Sequence, residues 1–117
     1  MTELIYQPVE PITKAEADVS LDSGDPPKII SALLGAAYHI NDWRWVQDRC
    51  LSFLDNSVAD VRNVAVLSLS HIARIHGDLD KEKVLSMLEK FQYDPEMSEE
   101  ISQTIEEIEW YLAHPET

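Results

Sequence analysis

The side chains with chemistry to offer are four histidines, one cysteine and two knots of glutamate in a chain of 117 residues. His39, His71, His76 and His114 do not carry metal-site spacing. His71 and His76 share a helical stretch but stand five positions apart, roughly 140° around a helix. A zinc-binding helix places its histidines four apart on one face, so this pair diverges. Glu99-Glu100 and Glu106-Glu107-x-Glu109 supply paired carboxylates, the raw material of acid–base or metal chemistry. Most of them lie on a solvated helical face, no nucleophile converges with them, and three glycines in the whole chain leave no phosphate-cradling loop. A small enzyme built on this acidic helix with His71 is therefore poorly supported. The expectation is a protein without catalysis, cofactor or metal.

Cys50 is the single cysteine. It excludes an internal disulfide, fits a reducing cytoplasm, and sits on an apolar helical face as a small buried hydrophobe. The start of the chain lacks the basic and apolar regions of a signal peptide, and no apolar run reaches the roughly 20 residues of a membrane span. A cytoplasmic protein without membrane association is expected.

Charge narrows the function further. Asp and Glu number 22 against 9 Lys and Arg, a formal charge of −13. Such a chain repels phosphate backbones, which argues against nucleic-acid binding. An acidic surface confers solubility, and it also attracts and steers a basic protein partner.

The elements that position these side chains are helices. From Ser57 to Gly77, Val58, Val61, Ala65, Leu69, Ile72 and Ala73 recur at spacings of three and four. Val64, Val66, Leu67 and Ile75 widen the apolar surface beyond one stripe, as expected of a helix covered on several sides. Ser57 with Asp60 suggests a capping box, and Gly77 a left-handed C-terminal cap. Asp25-Pro26 opens an earlier helix to residue 40, with Ile29, Leu33, Ala37 and Ile40 on one face. Asp42 caps a helix from Trp43 to Leu54, Asp80 one from Lys81 to about Gln92, and a last helix runs from about Met97 to Ala113. Residues 1–24 read as an extended arm, since Pro8 and Pro11 forbid a continuous helix. Leu4, Ile5, Tyr6, Val9 and Ile12 can bury against the body, and Thr13-Lys-Ala-Glu16 can cap a short turn. Residues 25–117 form the helical domain.

The helices also resemble one another. Ile29, Leu33, Ala37 and Ile40 superpose on Val61, Ala65, Leu69 and Ile72 at an offset of 32, and Val61, Ala65 and Ile72 on Ile101, Ile105 and Leu112 at 40. Self-similarity at this spacing marks a helical-hairpin solenoid. The run Asp55 to Leu69 resembles the second half of a HEAT repeat, with Asp55 in the turn, then Val61-Arg62 and Ala65. That pattern implies that Arg62 pairs with turn carboxylates such as Asp55. Asn41-Asp-Trp-Arg-Trp-Val-Gln47 with His71-Ile-Ala-Arg-Ile-His-Gly77 resembles small bacterial HEAT-like proteins of polymorphic toxin loci, including contact-dependent growth inhibition systems, where they act as immunity proteins.

The fold expected is all-α: a short right-handed helical-hairpin solenoid with an extended N-terminal arm. Its concave face falls on residues 26–40, 57–76 and 97–113, with Tyr38, Asn63, His71, Glu106, Glu109 and Trp110 among its polar positions. The carboxylates Asp42, Asp48, Asp60, Glu106 and Glu109, around Trp45 and Trp110, are the candidate contacts for a partner. Trp45, about 200° of helical wheel from Trp43, is either such a contact or a side chain covered by the arm. The absence of a long exposed apolar patch makes a monomer the expectation. The resemblance implies a one-to-one complex with a toxin domain, and the acidic charge suits a basic one such as a nuclease. A HEAT-like adaptor without a toxin partner is the alternative.

Overall fold

The structure is a computed structural model that describes residues 9–115. Six helices follow one another: α1 (Lys14–Leu21), α2 (Pro26–His39), α3 (Trp43–Leu51), α4 (Ala59–His76), α5 (Lys81–Glu89) and α6 (Ser98–Ala113). Among the described residues there is no strand, and no helix is long and apolar enough to cross a membrane.

Local chemistry sets most of the boundaries. Asp42 accepts the Trp45 N–H at 3.3 Å and Asp80 the Lys83 N–H at 3.4 Å, each satisfying an amide that has no partner within its helix. Gly77 ends α4 with φ 65°, a left-handed conformation in which a Cβ is penalised. Asp25 occupies the N-cap of α2 ahead of Pro26, although its side chain makes no capping bond. The start of α4 differs from the capping box expected at Ser57. Val58 is the N-cap and has no side-chain bond; Asn56 Oδ1 takes the Val58 N–H at 2.9 Å instead, in an Asx turn. α3 and α5 stop three residues early, and their last turns tighten: Leu54 N–H reaches Leu51 O and Phe91 N–H reaches Leu88 O.

The N-terminal arm is extended over less of its length than the sequence suggests. The apolar residues Leu4, Ile5 and Tyr6 lie outside the described residues. Residues 9–12 have no regular structure and run along α2, where a Cβ on Gly35 would stand 3.0 Å from Ile12 Cγ2 and 3.2 Å from the Glu10 carbonyl. His39 Nε2 donates to the Val9 carbonyl at 2.7 Å further along the same flank. The expected turn at Thr13 opens a complete two-turn helix. Its capping box is reciprocal: Thr13 Oγ1 accepts from Glu16 N at 3.2 Å, and Thr13 N donates to Glu16 Oε1 at 3.0 Å.

With α1 included, the described residues form three stacked helical hairpins, α1/α2, α3/α4 and α5/α6. α2, α4 and α6 lie side by side as one layer, and α1, α3 and α5 cover one side of it. The three helices of the inner layer run the same way. Tyr38 and His76, near the ends of α2 and α4, reach the opposite helix (His76 Nε2 donates to Ala37 O at 3.3 Å), and Arg62 at the start of α4 pairs with Glu96 just before α6. The core between the layers is closed by Leu33, Val46, Leu69, Ile72, Leu88 and Ile101, all essentially inaccessible to water. Ala17 and Leu21 of α1 belong to it as well. Gln47, Ser68, Ser70 and Thr104 are the buried polar side chains among the described residues, and Gln47 Oε1 accepts the Asp80 N–H at 2.7 Å.

Candidate partner-binding site

Because α1, α3 and α5 cover one side of the inner layer, its opposite face carries the polar positions of α2, α4 and α6. A row crosses it near the C-terminal ends of those helices. The Tyr38 ring of α2 lies 5.0 Å from the His71 ring of α4, and Arg74 Nη2 donates to His71 Nδ1 at 3.0 Å and to the Tyr38 hydroxyl at 3.3 Å. A guanidinium only donates, so His71 Nδ1 is an acceptor and the ring is the neutral Nε2–H tautomer. Burial and then the Arg74 charge hold the His71 pKa below its ordinary value, while Glu107 of α6 pulls it the other way.

α6 brings Glu100, Gln103 and Glu107 to one face by their spacing. Gln103 Nε2 donates to Glu107 Oε2 at 3.3 Å. Burial raises the Glu100 pKa first, and the negative charges of Glu107 and Glu99 add to it. Trp110 is 46% exposed and stacks on the His114 ring at 4.2 Å.

Of the residues singled out in the sequence, Tyr38 and His71 are brought together here. Asn63 is half-buried on α4 with Oδ1 unpaired, and Asp60 is exposed in the first turn of that helix. Glu106 and Glu109 are exposed on α6, about 100° and 200° around the helix from Glu107. The α6 carboxylate whose charge acts on His71 is Glu107, and Glu100 shares its face. Arg74 was visible only as a neighbour of His71, and the i, i+3 spacing was the available signal.

Trp45 and Asp48 lie on α3 and Asp42 caps it, in the outer layer, away from that row. Lys14 Nζ pairs with Asp42 at 2.6 Å and lies 5.4 Å from the Trp45 ring centre, so Trp45 is half-buried under α1. The Lys14 bond and the Trp45 N–H hold the Asp42 carboxyl below its usual range. Lys83 Nζ pairs with Asp48 at 3.0 Å. Arg62 tethers neighbouring units as expected, but through Glu96 and the Asn56 carbonyl (2.8 Å) rather than Asp55. Trp43 is half-buried against the core, with the Arg44 guanidinium 4.7 Å from its ring centre. Among the described residues, no three His, Cys, Asp or Glu side chains gather as metal ligands.

No family model and no curated protein matches the chain. A solved structure does match: a chain in the crystal structure of a CDI complex from Cupriavidus taiwanensis LMG 19424 shares 30% identity with it at a TM-score of 0.82, over 93% of this chain and 98% of that one. This chain belongs to the family of that CDI-complex protein. Membership accounts for the stacked hairpins, and it bears out the resemblance carried by Asn41 to Gln47 and His71 to Gly77. Within the CDI-complex family fold, the row Tyr38–His71–Glu107 lies on the layer that the outer helices leave open.

Proposed function

We propose that this chain is an immunity protein that binds and neutralises a cognate bacterial toxin domain by covering its active or substrate-binding surface. The observation that carries the reading is the match, along nearly the full length of both chains, to a component of a CDI complex. The hairpins act as HEAT-like repeats, a rigid stack that presents one face to a partner. The toxin surface is basic, as a nuclease surface is because it grips phosphate. A chain of formal charge −13 attracts such a surface and associates with it quickly. Neutralisation is steric and electrostatic, with no reaction performed by this chain. The complex is one-to-one and forms in the cytoplasm of the producing cell.

The experiment is co-expression with the toxin domain encoded beside it. Survival of the host, together with a one-to-one complex on purification, supports the reading. An adaptor without a toxin partner gives no protection.

A further inference from the structure

Negative charge is neutralised unevenly over this molecule. Around α1 and α3 the carboxylates have cations of their own chain: Lys14 on Asp42, Lys83 on Asp48, and Arg49 on Asp18 and Asp22. From residue 91 onward the sequence has no Lys or Arg at all. α6 carries five glutamates, and among the described residues none of them is within ion-pair distance of a cation.

Glu100 and Glu107 are the half-buried pair of this set. They share a face two turns apart, about 10.5 Å along the axis, with Gln103 between them. Like charges withdrawn from water without a counter-ion are unfavourable, and a docked cation relieves them. Trp110, one turn beyond Glu107 and exposed, adds a large apolar ring of the kind that anchors interfaces. Carboxylates flanking an aromatic suit a basic segment.

Beside this strip stands His71. The titratable and charged groups around it are Tyr38 from α2, Arg74 from its own helix and Glu107 from α6. Glu107 is the one of these that favours the protonated ring.

We propose that a basic segment of the partner docks along Glu100, Gln103, Glu107 and Trp110, its cationic side chains over Glu100 and Glu107, and that His71 makes this docking sensitive to protons. The inference rests on the immunity reading. A cation on Glu107 removes the carboxylate that supports protonated His71 and brings a positive charge towards it. The bound state then disfavours the imidazolium, so by linkage the imidazolium disfavours binding. Affinity is full while His71 is neutral. It falls as pH drops through the lowered pKa of this ring in the free protein.

The test is calorimetric titration of the toxin domain encoded beside the chain, at pH 7.5 and 5.0 and at two salt concentrations. The chains compared are the unaltered protein, E100Q/E107Q, H71Q and D42N/D48N, each checked for an unchanged helical spectrum. E100Q/E107Q is expected to weaken binding about tenfold or more and to flatten the salt dependence, whereas D42N/D48N changes affinity less than about threefold. The unaltered protein is expected to lose more affinity at pH 5.0 than H71Q loses. Equal binding by E100Q/E107Q, or an undiminished pH effect in H71Q, overturns the inference while leaving the immunity reading intact. An unaltered protein that does not bind the toxin domain overturns the immunity reading itself.

Discussion

Gln47 and Asp80 are joined across 33 positions of sequence: the buried amide of one accepts the backbone N–H of the other at 2.7 Å and so ties α3 to the start of α5. The same side chain donates from Nε2 to Asp48 at 3.2 Å. Gln47→Leu keeps the apolar packing but leaves the Asp80 N–H without its partner. An unsatisfied polar group of this kind costs about 1–3 kcal/mol. Urea unfolding followed by circular dichroism is expected to show that loss, and Gln103→Leu, at an exposed position of α6, to show little.

Arg62 separates two accounts of how neighbouring hairpins are held. Its guanidinium reaches the Asn56 carbonyl and Glu96, and its side chain is only 13% exposed. Arg62→Ala is expected to lower stability by about 1–2 kcal/mol, through a charge-assisted bond and lost packing of the stem. Asp55→Ala is expected to stay within about 0.5 kcal/mol, as at an ordinary surface site. If Asp55→Ala matches the loss at Arg62, the pairing implied by the HEAT pattern is the correct one.

These cases show which parts of the fold were legible in the sequence. Apolar periodicity in α2, α4 and α6, and the punctuation by Asp42, Asp80 and Gly77, act over a few residues and were readable directly. α1 was harder: Pro8 and Pro11 stand just before it, and only Ala17 and Leu21 of its eight residues are buried, too few for a periodic stripe. The Thr13–Glu16 box was the one cue. At the candidate site, Tyr38 and His71 came from the face of the stack. Which α6 carboxylate acts on His71 depends on the rotation of α6 against α4, which tertiary packing sets. The pairing of Asp42 with Lys14 depends on a helix that the sequence hardly announces.

Two glycines predict opposite kinds of damage. Gly77→Ala forces a Cβ into φ 65° at the end of α4, with Pro115 Cβ 3.6 Å away, and is expected to lower stability by about 1–2 kcal/mol. Gly35 has no such strain. A Cβ there meets Ile12 and the Glu10 carbonyl, so Gly35→Ala is expected to push residues 9–12 off α2 while the helices persist. Faster amide exchange or proteolysis confined to the N-terminal arm checks this, and global destabilisation without local opening contradicts it.

Cys50 gives a pH prediction with a defined sign. Burial pushes its thiol up from 9.0 to about 12, partly opposed by the Ser68 hydroxyl. Below pH 9 the thiol is protonated folded and unfolded, and contributes nothing. Between about 9 and 12 the unfolded chain releases the proton and the folded chain keeps it, so stability falls as pH rises. Cys50→Ala is expected to flatten that decline in unfolding experiments. In the native protein at pH 8, Cys50 is expected to resist a thiol reagent until denaturant is added.

Neutralisation of a toxin by binding, as proposed for this chain, fixes a stoichiometry that can be measured. The most direct measurement is the activity of the purified toxin domain encoded beside it, titrated with increasing amounts of this protein. Activity is expected to fall linearly to zero at one equivalent, with a complex of matching stoichiometry by calorimetry. Toxin activity that persists beyond several equivalents would contradict it.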